Sequence, residues 1–301
     1  MGPPSFREEK TLIPAKRLRY SAIVDRAPLT LPDKARVVVW PVVNVEVWDI
    51  ARPMPRQALP PPTGIPHQPD VPNWGWHEYG MRVGFWRQKA LLDELKIVPS
   101  LSINARVCLD YPRVAKAARD AGWEFMGHSF DQRPVHTEPD QAAMIRQSVK
   151  VIREFTGRQP VGWMGPGLTE TLDTPELLAA NGIRYIADWV IDDEPCTIRT
   201  RGGELVTLPY SLELNDIAMM VVQHHPSREW ESRCMDYFDR VYREGRERAK
   251  VMAIAVHPYI TGVPHRIKYL ENVFRRLRKQ KGVLFWTGER ILDWYLKARA
   301  R

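Results

Sequence analysis

Short apolar runs alternate with amphipathic stretches along the chain. The run of residues 37–45 is continuously apolar except for Asn44, which is typical of a strand buried on both faces, and it ends at Glu46. Seven later runs also end in polar or glycine residues: 98–103 before Asn104, 124–127 before His128, 160–164 before 165–167, 183–187 before Asp188 and Trp189, 218–222 before 223–225, 251–256 before His257, and 283–285 before 286–289. The pattern predicts eight buried strands with functional groups at their carboxyl ends.

Between these runs, apolar residues recur at the three- and four-residue spacing of helices. Residues 82–95, 137–157, 227–249, 265–281 and 288–298 show this spacing, and shorter helices are predicted after Tyr111 and at Thr174. Alternating strands and helices favour a mainly parallel sheet and predict a single-domain α/β fold of the (β/α) barrel type. In such a barrel the carboxyl ends of all parallel strands meet on one rim.

Length and composition agree with one globular domain. The chain has 301 residues, of which 44% are hydrophobic and 27% are charged. We divide it into an N-terminal extension over residues 1–35 and a barrel over residues 36–301. A proline-rich loop at residues 51–73 leaves the rim directly after Glu46, where we expect it to cover a pocket or to bridge to a second subunit of a homo-oligomer.

Charge and cysteine content indicate which partners and which cellular compartment to expect. The net charge of +8 comes mostly from helix faces such as residues 243–250 and 275–281, and no nucleic-acid motif accompanies it, so we expect no nucleic-acid partner. No apolar stretch reaches a transmembrane length, and the first residues lack the apolar core of a signal peptide. Cys108, Cys196 and Cys234 show no disulfide pattern, which favours the cytoplasm.

The strand-end motifs together resemble the polysaccharide deacetylase family of carbohydrate esterases. The motifs are Asn44-Val45-Glu46, Gly127-His128-Ser129, Gly165-Pro166-Gly167, Asp188-Trp189 and His257-Pro258. Residues 78–87 and 256–262 are similar to the allantoinase-like branch of that family. The resemblance covers about residues 36–296 and implies a deformed (β/α) barrel that hydrolyses carbon–nitrogen bonds other than peptide bonds.

The chain departs from the family at two metal-binding positions. Metal-dependent members carry a zinc-binding acid after the first strand and a second histidine four residues after the first one, whereas this chain has Val47 and Gln132 there. Valine cannot bind a metal, and glutamine is a poor zinc ligand. We therefore expect no required cofactor, although Glu46 and His128 could hold a weak zinc ion with Asp49 or Asp131 as a third ligand.

Hydrolysis without a strong Lewis acid needs a base for water and an acid for the leaving nitrogen. We assign Glu46 as the base, on the expectation that burial raises its pKa, His257 as the acid, and His128 as a group that orients water or shares the proton transfer. A core histidine is the alternative for His257. Candidate substrate contacts are residues beside the strand ends and on the first predicted helix: Tyr79, Arg82, Trp163, Gly165, Pro166, Gly167, Asp188, Trp189 and Trp286.

Two alternatives remain open for these substrate contacts, because tryptophans are more often core residues and Arg82 could instead pair with Glu78 one helical turn earlier. The predicted function is hydrolysis of a small amide, cyclic amide or ureide. A zinc-dependent N-deacetylase of an amino sugar and a catalytically silent ligand-binding barrel are the alternatives.

Overall fold

A computed structural model describes residues 14–66 and 68–300. Its strands are β1 Val37–Val45, β2 Ser100–Ile103, β3 Glu124–Gly127, β4 Gly162–Trp163, β5 Tyr185–Ile186, β6 Cys196–Thr200, β7 Gly203–Thr207, β8 Lys250–Val256 and β9 Val283–Phe285. They form one curled sheet in the order β6-β7-β5-β4-β3-β2-β1-β8, with β9 paired to the first part of β1. All pairs are parallel except β6 with β7.

Helices fill most connections between the strands. They are α1 Pro14–Arg17, α2 Val71–Tyr79, α3 Phe85–Glu94, α4 Val107–Asp110, α5 Pro112–Asp120, α6 Gln141–Thr156, α7 Thr174–Ala180, α8 Ser227–Glu244, α9 Ile267–Arg278 and α10 Gly288–Arg299. The π-helical segment Gly80–Gly84 joins α2 to α3, and a second one, Ile217–Val222, lies between β7 and α8. Short 3₁₀ turns lie at Ile23–Asp25, Pro32–Lys34, Val135–Thr137 and Pro166–Leu168.

Strand β1 pairs with three other strands, and its position explains why its sequence is almost continuously apolar. Strand β8 pairs with one edge of β1, and β2 and β9 pair with the other edge. All nine residues of β1 are buried because side chains from other elements also pack on both of its faces. Val37, Val39, Val43 and Val45 pack in a cluster with residues of α3, α5, α8 and α9. The alternate residues Val38, Trp40 and Val42 pack with side chains of other strands inside the curled sheet.

The predicted α/β barrel is confirmed as a curled half-barrel, with two errors in the strands. Residues 218–222 are not a strand but belong to the π-helical segment, whose Met219 and Met220 are buried in the core. A short apolar run does not distinguish a strand from a buried helical turn, which explains the error. The antiparallel pair β6 and β7 was missed because its residues are only partly buried and do not form an apolar run.

Residues 1–13 of the predicted N-terminal extension lie outside the described residues, so the division at residue 35 stays a prediction. Within the described residues, no helix is both long and apolar enough to cross a membrane.

Candidate active site

One cavity of about 420 Å³ opens at the carboxyl ends of the parallel strands. Glu46 enters it directly after β1, His128 directly after β3 and His257 directly after β8, as the strand-end pattern predicts. Its other lining residues come from the loops that follow β1, β3, β4 and β7: Val47, Asp49, Arg52, Pro53, Pro55, Arg56, Asp131, Gln132, Arg133, Pro134, Met164, Pro166, Gly167, Leu168, Thr169, Tyr210, Asn215 and Ile217, together with Asn44 of β1.

Glu46 is buried and both of its carboxylate oxygens are engaged. Oε2 accepts hydrogen bonds from Trp48 Nε1 at 2.8 Å and from the Tyr259 hydroxyl at 2.9 Å. Oε1 accepts one from Gln132 Nε2 at 3.0 Å and lies 3.5 Å from His257 Nε2. The carboxylate is therefore held in one orientation by donors on several sides.

The ionisation of Glu46 differs from the sequence-based expectation. Burial favours the neutral acid, but the hydrogen bond and positive charge of His257 outweigh it, with smaller contributions from His128 and Trp48, and bring the Glu46 pKa down to about 2. Burial acts on this pKa in the predicted direction, but the predicted net rise is wrong because the opposing contributions are larger. Glu46 is thus a carboxylate at neutral pH and has a low affinity for a proton.

His257 is held by a carboxylate on the side opposite Glu46. Its Nδ1 lies 2.6 Å from Asp216 Oδ1, and its backbone N–H donates to Asp216 Oδ2 at 2.8 Å. Burial alone would lower the His257 pKa, but Asp216 and then Glu46 raise it to about 9. His257 is consequently an imidazolium at neutral pH, which is the form that a general acid requires.

Sequence reasoning missed Asp216, although this residue determines the state of His257. Asp216 is fully buried and directly precedes the π-helical segment Ile217–Val222, most of which we predicted as a strand. Its Oδ2 also accepts from the Thr261 hydroxyl at 3.0 Å. The polar pair Asn215-Asp216 directly before the apolar run was the available signal. It is typical of the start of a buried helical turn, and interpreting it in that way would have identified Asp216 as a candidate.

His128 differs from His257 because, among the described residues, its ring is hydrogen-bonded to a backbone carbonyl and not to a carboxylate. Nδ1 lies 2.7 Å from the Met164 carbonyl oxygen, and since a carbonyl can only accept, Nδ1 must carry the proton. Burial lowers the His128 pKa below 6.5, against the opposing charge of Glu46. The ring is therefore neutral at pH 7, and its unprotonated Nε2 is left for the cavity.

The amide of Gln132 has a fixed direction. Asn104 donates from Nδ2 to Gln132 Oε1 at 3.2 Å, while Asn104 Oδ1 accepts from the Val47 backbone N–H at 2.7 Å. Gln132 must therefore turn its NH₂ group, and not its oxygen, towards Glu46. At this position the chain supplies a hydrogen-bond donor where a metal would need an electron-pair donor.

The donor set does not fit a tightly bound zinc ion. The oxygens of Glu46 already accept hydrogen bonds, and Asp131 is paired with Arg52 and Arg133. Over residues 14–66 and 68–300, no group of three or more His, Cys, Asp or Glu side chains is arranged to hold a metal. The weak site considered for Glu46 and His128 with Asp49 or Asp131 finds no geometric support.

Of the predicted substrate contacts near the fourth and fifth strands, Pro166 and Gly167 line the cavity. Gly165 and Asp188 lie just behind them, where the Gly165 backbone N–H donates to Asp188 Oδ1 at 2.7 Å and anchors the turn. Trp189 does not line the cavity, so the expectation that Gly165 and Trp189 contact it directly is not met.

Four further predicted contacts lie away from the cavity. Trp163 is fully buried in the core under the sheet, and Trp286 packs on Trp294 at the level of the first half of β1. The Tyr79 hydroxyl accepts from Arg87, and Arg82 has a 77% exposed side chain paired to Glu78 at 3.2 Å, which matches the structural alternative. The substrate-binding assignments of these four residues are corrected accordingly: Trp163, Trp286, Tyr79 and Arg82.

The proline-rich loop lies over the cavity as expected. Arg52, Pro53, Pro55 and Arg56 line its mouth. The loop is tied down by Asn73, whose side-chain oxygen accepts from the backbone N–H groups of residues 58 and 59 at 2.8 and 3.0 Å. Residue 67 lies outside the described residues. A bridge from this loop to a second subunit stays a prediction.

Comparisons with known proteins agree with the resemblance in the sequence. A curated protein of Schizosaccharomyces pombe, assigned as a polysaccharide deacetylase, is 28% identical over 246 residues, which cover 71% of this chain and 73% of that protein. A crystal structure from Pseudomonas aeruginosa PAO1 named as a polysaccharide deacetylase is 24% identical, covers 89% of this chain and 93% of its own, and has a TM-score of 0.76. No protein-family model matches the chain.

The structure of Puue allantoinase is similar to the same extent. It is 24% identical, covers 89% of this chain and 92% of its own, and has a TM-score of 0.78. The resemblance to polysaccharide deacetylases and their barrel is thus confirmed. The predicted enzyme class agrees with these relatives, since deacetylases are hydrolases of carbon–nitrogen bonds other than peptide bonds.

Proposed function

We propose that this protein hydrolyses a carbon–nitrogen bond in a small amide, cyclic amide or ureide, in the manner of an allantoinase and without a catalytic metal. The observation that carries the proposal is the chain of contacts from Gln132 to Glu46, His257 and Asp216. It gives two buried carboxylates and one imidazolium in place of a set of metal ligands.

His257 serves as the general acid in this proposal. His257 lines the cavity, and its Nδ1 is the ring nitrogen that contacts Asp216, which leaves Nε2 on the side of Glu46. The raised pKa keeps the His257 ring protonated at neutral pH. The proton on Nε2 passes to the leaving nitrogen as the carbon–nitrogen bond breaks, which avoids expelling an amide anion. Glu46 keeps the ring oriented and favours its charged form.

His128 is the better candidate for the base that takes a proton from water. Its neutral ring has an unprotonated Nε2, whereas the Glu46 carboxylate has a pKa of about 2 and already accepts several hydrogen bonds. An effective base has a pKa near the working pH, which favours His128. We therefore move the role of base from Glu46 to His128, and Glu46 becomes the group that positions His257.

The size of the cavity supports a small substrate. A volume of about 420 Å³ under Arg52 and Arg56 of the proline-rich loop accommodates a small ring and its substituents. The names of two relatives favour the alternative of an amino-sugar N-deacetylase, which would use zinc. Its difficulty is the set of ligands, since Val47 and Gln132 stand where zinc ligands are expected. A silent barrel has no use for the oppositely charged Glu46 and His257.

A hydrolysis screen in the presence of a chelator tests the proposal. Cyclic imides, hydantoins, linear ureides and formamides would be compared with N-acetylglucosamine oligomers, each with and without added zinc. Turnover of a small amide or ureide in chelator supports the proposal. Deacetylation of the sugars only when zinc is added would instead establish the alternative.

The cellular location and the oligomeric state of the protein form part of the same proposal. We infer that the protein works in the cytoplasm as a homo-oligomer, with no nucleic-acid or membrane partner. Support comes from its three unpaired cysteines, Cys108, Cys196 and Cys234, of which the first and last are buried. Sedimentation of the purified protein tests the oligomer, and fractionation of the source cells tests the location.

A further inference from the structure

The backbone carbonyl of Glu46 lies just beyond the part of β1 that is paired in the sheet. The last residue of β1, Val45, pairs with Ile103 of β2, while β8 pairs with β1 only as far as Val43. Among the described residues, the donor that reaches the Glu46 carbonyl oxygen is His77 of α2, whose Nε2 lies 2.7 Å away. A buried carbonyl needs a donor, so His77 supplies from another element the hydrogen bond that the sheet no longer provides.

The same hydrogen bond fixes the tautomer of His77. A carbonyl oxygen can only accept, so Nε2 must carry the proton. Burial lowers the His77 pKa, against the opposing charge and backbone carbonyl of Glu46 and the charge of Glu78, so Nδ1 is unprotonated at neutral pH. Nδ1 is also buried and has no donor within residues 14–66 and 68–300. An apolar ring would avoid the cost of this unpaired nitrogen, so packing alone does not explain a histidine at this position.

His77 also reaches the carboxylate of Glu46 through Trp48. The His77 ring stacks on the Trp48 ring, with centroids 4.9 Å apart and planes at 18°. Trp48 Nε1 donates to Glu46 Oε2 at 2.8 Å, and Trp74, in the same helix as His77, donates from Nε1 to the Trp48 carbonyl oxygen at 3.1 Å. Helix α2 therefore holds the backbone on both sides of Val47. His77 contacts both the carbonyl of Glu46 and the ring that orients its carboxylate.

We propose that His77 is a positioning residue for the reaction, which holds Glu46 in the orientation that places its carboxylate beside His257. His77 does not line the cavity, so it acts on the reaction only through Glu46. This rests on the proposed function, in which Glu46 orients His257 and favours its charged form. Glu46 Oε1 lies 3.5 Å from His257 Nε2. A retreat of about 1 Å would lower the His257 pKa by roughly 0.8 unit, at an effective dielectric constant of about 20.

Two substitutions of His77 separate its hydrogen bond from its ring. His77→Phe keeps an aromatic ring against Trp48 and removes the donor, whereas His77→Gln loses the ring and keeps a side-chain N–H at a similar reach. For the substrate identified by the screen, we expect His77→Phe to lower kcat about tenfold with KM changed by less than about twofold, and His77→Gln to keep kcat within about threefold. The stability of His77→Phe should change little, since it removes the unpaired Nδ1 but leaves the Glu46 carbonyl unpaired instead.

A double variant tests whether His77 acts through Glu46. The carboxylate is already lost in Glu46→Gln, so adding His77→Phe should lower kcat further by less than about twofold. An NMR titration of the His257 ring gives a second readout, because the His257 pKa should fall by roughly 0.8 unit in His77→Phe and by much less in His77→Gln. His225→Phe is the control and should change neither quantity, since His225 contacts Arg233 at 3.4 Å and does not line the cavity.

An unchanged kcat together with an unchanged His257 pKa in His77→Phe would overturn the inference, and so would losses in kcat that multiply fully in the double variant. If His77→Phe does not fold, nitrogen NMR of the unchanged protein tests the same contact. His77 should then carry a proton on Nε2 and none on Nδ1 from pH 7 to 9. A proton on Nδ1 in place of Nε2 would overturn the inference without any variant.

The two readouts keep this inference apart from the proposed function, because the His257 pKa can be measured without a substrate. A His257 pKa that falls in His77→Phe but not in His77→Gln, together with no hydrolysis of any small amide, would mean that the proposed function fails and that the positioning role stands. Hydrolysis of a small amide at the same kcat and with the same His257 pKa in His77→Phe would mean the reverse.

Discussion

Replacing Asp216 by asparagine tests the central electrostatic argument. Asp216 is the largest factor that raises the His257 pKa from 6.5 to about 9, a difference of roughly 2.5 units or about 3 kcal/mol. Asparagine keeps the shape of the side chain but removes its charge. The effect of burial, which lowers the His257 pKa, is then opposed mainly by the charge of Glu46. We expect this pKa in Asp216→Asn to fall to about 6.5 or below.

The consequence for activity follows from the protonated fraction of His257. This fraction is high below the His257 pKa and is lost as the pH rises through it. At pH 8 it is about 90% for a pKa of about 9 and about 3% for a pKa of about 6.5, so Asp216→Asn should lose roughly 30-fold in activity at pH 8. At pH 6 the same comparison predicts a protonation effect of less than about twofold.

The assay is kcat/KM from pH 5 to 10 for the substrate identified by the screen, with an NMR titration of the His257 ring. The variant's basic limb should move by about 2.5 units or more towards acid. Thr261→Val is the control, because it removes a hydrogen bond to Asp216 Oδ2 and keeps the charge. A basic limb that stays near pH 9 in a folded Asp216→Asn protein would refute the assignment of His257 as the acid.

Four further predictions concern the rest of the site. Glu46→Gln removes the charge that orients His257 and favours its protonated form, so turnover should fall by roughly 100-fold or more with the fold retained. Near-normal rates would contradict this positioning role of Glu46. The acid limb of the wild-type kcat/KM profile should lie below pH 6.5 as His128 takes up a proton, whereas a plateau that continues to pH 4 would return the role of base to Glu46. The purified protein should contain well under one equivalent of zinc, and the double variant Val47→Asp, Gln132→His should approach one by metal analysis. Arg82→Ala should change KM by less than about twofold, since its exposed ion pair contributes little, and a larger rise in KM would restore it as a substrate contact.

The convergence of Glu46, His128 and His257 could be predicted because it depends only on strand direction. Each follows a mainly apolar strand, and parallel strands end on the same rim. Periodicity and burial of single strands carry this information, so no knowledge of tertiary contacts was needed. The position of the loop after Glu46 followed from the same argument.

Asp216 could not be predicted because its role depends on a contact across the fold. Asp216 lies 41 positions before His257, and its run of apolar neighbours gives the same signal for a strand as for a buried π-helical segment. Tyr79 and Arg82 were placed wrongly because a local match of residues 78–87 to other proteins does not show which way the end of α2 and the following π-helical segment face.

A common cause links the two shifted pKa values to the residues at the zinc positions. The carboxylate of Glu46 is buried, and a buried charge needs a partner of opposite sign. Valine at 47 cannot bind a metal, and Gln132 turns its NH₂ group towards Glu46, so neither side chain helps to hold a metal cation beside this carboxylate. The proton on His257 supplies the positive charge instead, 3.5 Å away, and a second carboxylate holds it there. In the proposed mechanism, the proton that stabilises the buried Glu46 is also the one that passes to the leaving nitrogen, so charge balance and acid catalysis would depend on a single group.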